Sequence, residues 1–137
     1  MAEVLSILDA CVPRTRPTRV LTFPTHERYQ STLDRVGAEF YLWQGPGIKA
    51  WDARFSALPT NHVLLPHSDH GPALPPGVRP DVVLSQHAIQ FQAAASAAAY
   101  FGVPVLRIEH TLPDGGTPSP SGDLNVYITE HQRSLWG

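Results

Sequence analysis

"RVLTFPTHERYQSTLDRVGAEFYLWQ", residues 19–44, decides the fold of this chain. Its opening, "RVLTFP" (19–24), is apolar and β-branched, as a strand buried in a sheet must be. Tyr29, Leu33 and Val36 then recur at helical spacing, with Thr25 placed to cap a helix over 26–37 and Gly37 to stop it. "EFYLWQ" (39–44) is a second apolar strand. Short apolar strands that alternate with helices build a parallel sheet, because parallel neighbours need a crossover and the crossing helices cover the faces.

The same alternation continues outward. "HVLLPH" (62–67), "DVVLSQ" (81–86), "VPVLRIEH" (103–110) and "LNVYITE" (124–130) read as further strands. "HAIQFQAAASAAAYFG" (87–102) is the clearest helix, since alanine is the best helix former and Gly102 supplies the stop. Residues 45–61 mix Gly, Pro and aromatics without a period and read as loop with at most a helical turn. The five prolines of 66–80 make that stretch a surface connector, and 112–123 is a flexible loop. The fold expected is α/β, a Rossmann-like three-layer sandwich with a mostly parallel sheet of about five or six strands and the first strand central. Residues 1–18 are expected to be an N-terminal helix and connector, and 19–137 one Rossmann-like domain.

Composition narrows the function. A charged share of 16% and a formal net charge of -2 give no electrostatic reason to expect nucleic acid or an anionic membrane. Cys11 is the only cysteine, so an internal disulfide is excluded and a reducing, cytoplasmic setting is expected. Glu3 and Asp9 interrupt the apolar patch of the first residues, which reads as a short helix and not as a signal peptide. No apolar run approaches the ~20 residues of a membrane span.

In open parallel sheets ligands bind beyond the carboxyl ends of the strands. Here those ends carry Thr25, His26 and Glu27, then Gln44 and Gly45, then Ser85, Gln86 and His87, then Glu109, His110 and Thr111, then Glu130. Any one cluster is as well explained by helix capping as by binding. Five on one rim point to a ligand.

"PTHERYQ", "EFYLWQGPG..AWD..F..LP.N", "PDVVLSQ...QFQAAA", "VPVLRIEHTLP" and "NVYITEHQRSLWG" together resemble the amino-terminal half of glycosyltransferases of the GT-B architecture. Members of that family carry two Rossmann-like domains across a cleft, the first binding the acceptor and the second the nucleotide sugar. The resemblance covers residues 19–137 and rests on order and spacing. It implies that His110 lines the cleft as the residue of catalytic importance, and that Thr129-Glu130 begins the helix leading toward the second domain. The donor-binding domain has no counterpart in these residues. A second domain or chain is therefore the expected partner, with a small-molecule or glycan acceptor, a possible homodimer and no cofactor.

His110 can bind a hydroxyl or steady developing charge, and its competing role is a tie to a loop carbonyl. Glu109 can orient that ring, although neighbours along a strand face opposite ways. Thr25, His26 and Glu27 suit a hydroxyl or an anion at a strand-to-helix turn, or a plain cap. "QGPG" (44–47) lacks both the Walker and the dinucleotide spacing and is a turn of close backbone approach. Trp43 and Trp51 can stack on a sugar ring but are more ordinarily core. His67, Asp69 and His70 are ligand-type residues without a further clustered partner, so no metal is expected. Of Gln90, Phe91 and Gln92, Phe91 should be core and one Gln should reach the cleft.

Two functions follow from different classes. One is the acceptor-binding half of a glycosyltransferase, inactive without its partner. The other is a non-catalytic Rossmann-like module for a sugar, nucleotide or protein. A small hydrolase is disfavoured, since Ser85 has no G-x-S-x-G turn around it.

Overall fold

The computed structural model describes residues 16–45, 47–109 and 124–127, the last four and Glu109 by their backbone alone. Six strands are present: β1 (Thr18–Thr22), β2 (Ala38–Leu42), β3 (His62–Leu64), β4 (Val82–Ser85), β5 (Val105–Glu109) and β6 (Leu124–Tyr127). They form one sheet in the order β3-β2-β1-β4-β5-β6, and every pairing is parallel. The chain thus moves outward from β1 to β3, returns to the centre at β4, and moves outward again to β6. The first strand is central, as its sequence requires: Val20, Leu21 and Thr22 are each fully buried.

Strand alternation sorts the core into two halves. Val20, Phe40, Val82, Leu84, Leu106 and Ile108 face one side, where Leu33, Tyr29 and Val36 pack on them. Leu21, Phe23, Tyr41, Trp43, Val83 and Val105 face the other. There the helix α2 (Phe91–Phe101) lies across β4 and β5 with Ala94, Ala97 and Ala98 buried. Three alanines let the helix sit close to the sheet while keeping the best helical propensity. Gly102 ends α2 at φ 66°, a left-handed conformation that a Cβ disfavours. With helical segments on both faces, the architecture is the three-layer sandwich expected. Among the described residues no helix is long and apolar enough to cross a membrane.

The connection from β1 to β2 departs from the expectation. One helix over 26–37 is replaced by a single α-helical turn, α1 (Glu27–Gln30), followed by a 3-10 stretch, Ser31–Arg35. Thr25 is not the cap. His26 occupies that position, its side chain accepting from the Arg28 amide, while the Thr25 hydroxyl accepts from the His26 amide at 2.5 Å. Nor does Gly37 stop the segment, which ends where Val36 turns extended at ψ 131°. The Ser31 and Thr32 hydroxyls donate to the carbonyls of Arg28 and Tyr29, three residues back, a local alternative to the helical ladder.

The strand starts are tied together at the opposite end of the sheet. Asp81 accepts two bonds from the Arg16 guanidinium, at 2.7 and 2.9 Å, and one from the Arg19 amide at 2.8 Å. These bonds, led by the one from Arg16, outweigh partial burial and hold the Asp81 carboxyl below the usual carboxylate range.

Candidate functional site

At the reversal of strand order, the connections that leave β1, β2 and β4 converge on a crevice of about 330 Å³. Thr25 and His26 line it from the first, Ile48 and Lys49 from the second, and His87 and Ile89 from the third. Gln90 also lines it and is tied down, its Oε1 accepting from the Gln86 amide at 3.0 Å. This is the switch point at which doubly wound sheets accept ligands. A larger groove, about 540 Å³, runs between α2 and the Asp69–Ala73 connection. Trp43, Ala97, Tyr100 and Phe101 give it a mostly carbon lining, and it lacks converging polar side chains from several strand ends.

Lys49 is the charged crevice residue that sequence reasoning missed, alongside the apolar Ile48 and Ile89, and it is the only lysine in the chain. Its ammonium donates to Glu27 Oε2, to the Thr25 carbonyl at 3.2 Å and to the Ala50 carbonyl at 3.3 Å. Glu27 Oε2 also accepts from the Asp52 amide at 2.8 Å. The pair therefore clasps the loop after β2 to the turn after β1. Burial of Glu27 raises the cost of its charge, but the hydrogen bond from Lys49 and the amide bonds outweigh it, and the carboxyl sits below its ordinary value. The missed signal was compositional: a single lysine close after a strand end and a turn-forming "QGPG".

The two histidines of the crevice are fixed in the same way. His26 Nδ1 accepts from the Arg28 amide at 3.2 Å, and His87 Nδ1 from the Ile89 amide at 3.1 Å. A nitrogen that accepts an N–H bond carries no proton, so while these bonds are made each ring has its hydrogen on Nε2. Both side chains belong to exposed residues. Phe55, 52% exposed, lies against His26 with ring centroids 6.4 Å apart.

Several residues expected at the rim are used inside the protein instead. Glu27 is 2% exposed and serves the clasp. Ser85 is fully buried and donates to the His87 carbonyl at 3.2 Å. Gln86 is 1% exposed, and its Nε2 donates to Gln30 Oε1 at 3.0 Å and to Thr22 Oγ1 at 3.3 Å. Gln44 bridges two loops, donating to the Leu65 carbonyl at 2.9 Å and accepting from the Trp51 amide at 3.4 Å. Gly45 packs on Trp43, where an added Cβ would come within 2.9 Å of the indole. Trp43 itself is core: its ring lies tilted against Phe23, centroids 5.4 Å apart, and donates to the Ser68 carbonyl. Trp51 is half-buried, Phe91 packs on the α2-side core, and Gln92 is exposed. Glu109 closes β5 by its backbone. His110, Thr111 and Glu130 lie outside the described residues, as do residues 1–15.

From Gln86 a chain of buried bonds continues away from the crevice. Gln30 Nε2 meets His62 Nε2 at 2.9 Å, and His62 Nδ1 meets Asn61 Oδ1 at 2.8 Å. Asn61 Nδ2 donates to three carbonyls, those of Leu33, Val36 and Ala38, so its Oδ1 must be the acceptor. That fixes His62 as the neutral Nδ1–H tautomer and makes Gln30 the donor to Nε2. Burial pushes the His62 pKa down from 6.5 to about 4. No cluster of three metal-ligand side chains occurs among the described residues, and His67 instead pairs with Asp69 at 3.1 Å.

No family model, curated protein or solved structure matches the chain.

Proposed function

We propose that the chain is the acceptor-binding half of a GT-B-type glycosyltransferase, holding its acceptor in the crevice between β1 and β4 while a second domain or chain supplies the nucleotide sugar. The observation that supports this is the convergence of three strand-end loops, carrying His26, Lys49 and His87, where the strand order reverses. Transfer requires an acceptor hydroxyl held in line with an anomeric carbon, which is a task of positioning. A rigid parallel sheet with neutral, fixed donors at its rim suits that task. His110, which follows β5, is proposed to steady charge that develops in transfer.

The test is a transfer assay with candidate nucleotide sugars, run on the purified chain alone and mixed with a Rossmann-like nucleotide-sugar-binding domain encoded beside it. Transfer is expected only in the mixture, and His110→Ala should lower it about 100-fold, the scale of one lost transition-state contact. Robust turnover by the chain alone, abolished by a substitution within it, rules out the split arrangement. A non-catalytic binding module is the second reading, favoured by the commitment of Glu27, Ser85 and Gln86 to internal bonds. Ligand binding without transfer in any mixture would select it.

A further inference from the structure

The crevice gathers polar groups yet holds no unpaired charge among its described residues. Lys49 is neutralised by Glu27 and saturated by two carbonyls. Nearby, Arg54 is bound to Asp52 at 2.7 Å. His26 and His87 commit their Nδ1 atoms to backbone amides, which leaves only Nε2–H to donate while those caps are made. What remains available is two Nε2–H donors, neither with a partner among the described residues, and carbon from Ile48 and from Ile89, which is 67% exposed.

We infer that the crevice takes an uncharged, hydroxyl-rich ring, a sugar or cyclic polyol, in preference to a phosphorylated or carboxylated one. A ring of that kind offers oxygen acceptors at its edge for two N–H donors and a carbon face for the isoleucines. A phosphate or carboxylate makes a costlier demand. It must draw Lys49 from Glu27, and Glu27 at 2% exposure would then be a buried carboxylate held by backbone amides alone, with no cation beside it. Protonating either histidine to supply charge breaks the cap that its Nδ1 makes. This inference rests on the crevice being the ligand site, and names the class of acceptor it admits.

The experiment is an NMR titration of the histidine ring signals of the full chain, with glucose and maltose in one arm and glucose 6-phosphate and inorganic phosphate in the other. The His26 and His87 signals are assigned with His26→Ser and His87→Ser, whose hydroxyls keep an acceptor for the cap. Both signals should move with the neutral sugars. Each serine variant should bind them about tenfold more weakly, the scale of one hydrogen bond, with its thermal unfolding little changed. The phosphorylated sugar should bind more weakly than glucose. Tighter binding of the phosphorylated sugar or of phosphate, with the same signals moving, overturns the neutral class but leaves the crevice as a ligand site. Signals that stay fixed in both arms remove the crevice itself, and with it the site on which the proposed function stands.

Discussion

The two faces of the sheet are closed by opposite means. One is covered by α2, whose three buried alanines close on Val83 and Val105 with no polar side chain of the helix buried. The other is covered by the short segment 27–35, and beneath it Gln30, His62 and Gln86 are buried and bonded in a row. Apolar strands serve both faces equally well, so the difference lies in what returns over them. A long helix satisfies its own backbone and needs only small side chains beneath it. A single turn followed by a 3-10 stretch leaves groups that side chains must pair. The polar face is thereby more specific and more exposed to error, because a half-satisfied buried network costs more than an apolar one.

The largest test of this contrast is the apolar part of the polar face. Phe40→Ala removes a ring stacked on His62 at 4.7 Å and should cost about 4 kcal/mol in denaturant unfolding. A cost near that of a surface change would mean the face is loosely packed.

Acid comes next. The His62 pKa falls from 6.5 to about 4 on folding, so the unfolded chain binds the proton first as pH drops. Stability is thus full above pH 6.5 and lost progressively toward pH 4, by roughly 3 kcal/mol from this ring. Unfolding of the wild type and of His62→Phe should differ in slope between pH 6.5 and about pH 5, above the range where carboxylates such as Glu27 titrate, with the variant flat there. The alanine face contributes no such titration.

Lys49→Met sharpens the comparison at the crevice. It leaves Glu27 buried without its cation, and since Lys49 is half exposed the cost should be about 2 kcal/mol, not the larger figure of a fully buried pair. The loss should be greatest at neutral pH and shrink in acid as Glu27 takes a proton. Equal destabilisation at pH 7 and pH 4 would deny the clasp its electrostatic basis.

The smallest effect belongs to the helical face. Gly102→Ala forces a Cβ into a left-handed turn and should cost about 1 kcal/mol. Nothing lies within 4 Å of the added atom, so a larger loss would reveal a constraint that conformation alone does not supply.

The parallel sheet and its central first strand were legible because apolar strands and an alanine-rich helix leave few other solutions. The segment 27–35 was not: Leu33 and Val36, three residues apart, share a face in an α-helix and in a 3-10 turn alike, and periodicity cannot separate the two over so short a run. At the rim, the sequence located His26 and His87 but did not distinguish them from Glu27, Ser85 and Gln86. All five are hydrogen-bonding residues at or just past the end of a strand. Which of them turns outward depends on partners distant in sequence, such as the Gln30 amide for Gln86 and Lys49 for Glu27.

The solitary lysine has a practical side. With one side-chain amine in 137 residues, reagents that attack amines have a single lysine to label, and it stands at the mouth of the crevice. A fluorophore or spin label placed there reports on that opening without any engineered cysteine. By the same token, coupling the protein to a solid support through lysine would orient every copy with its crevice against the surface, hidden from whatever flows past.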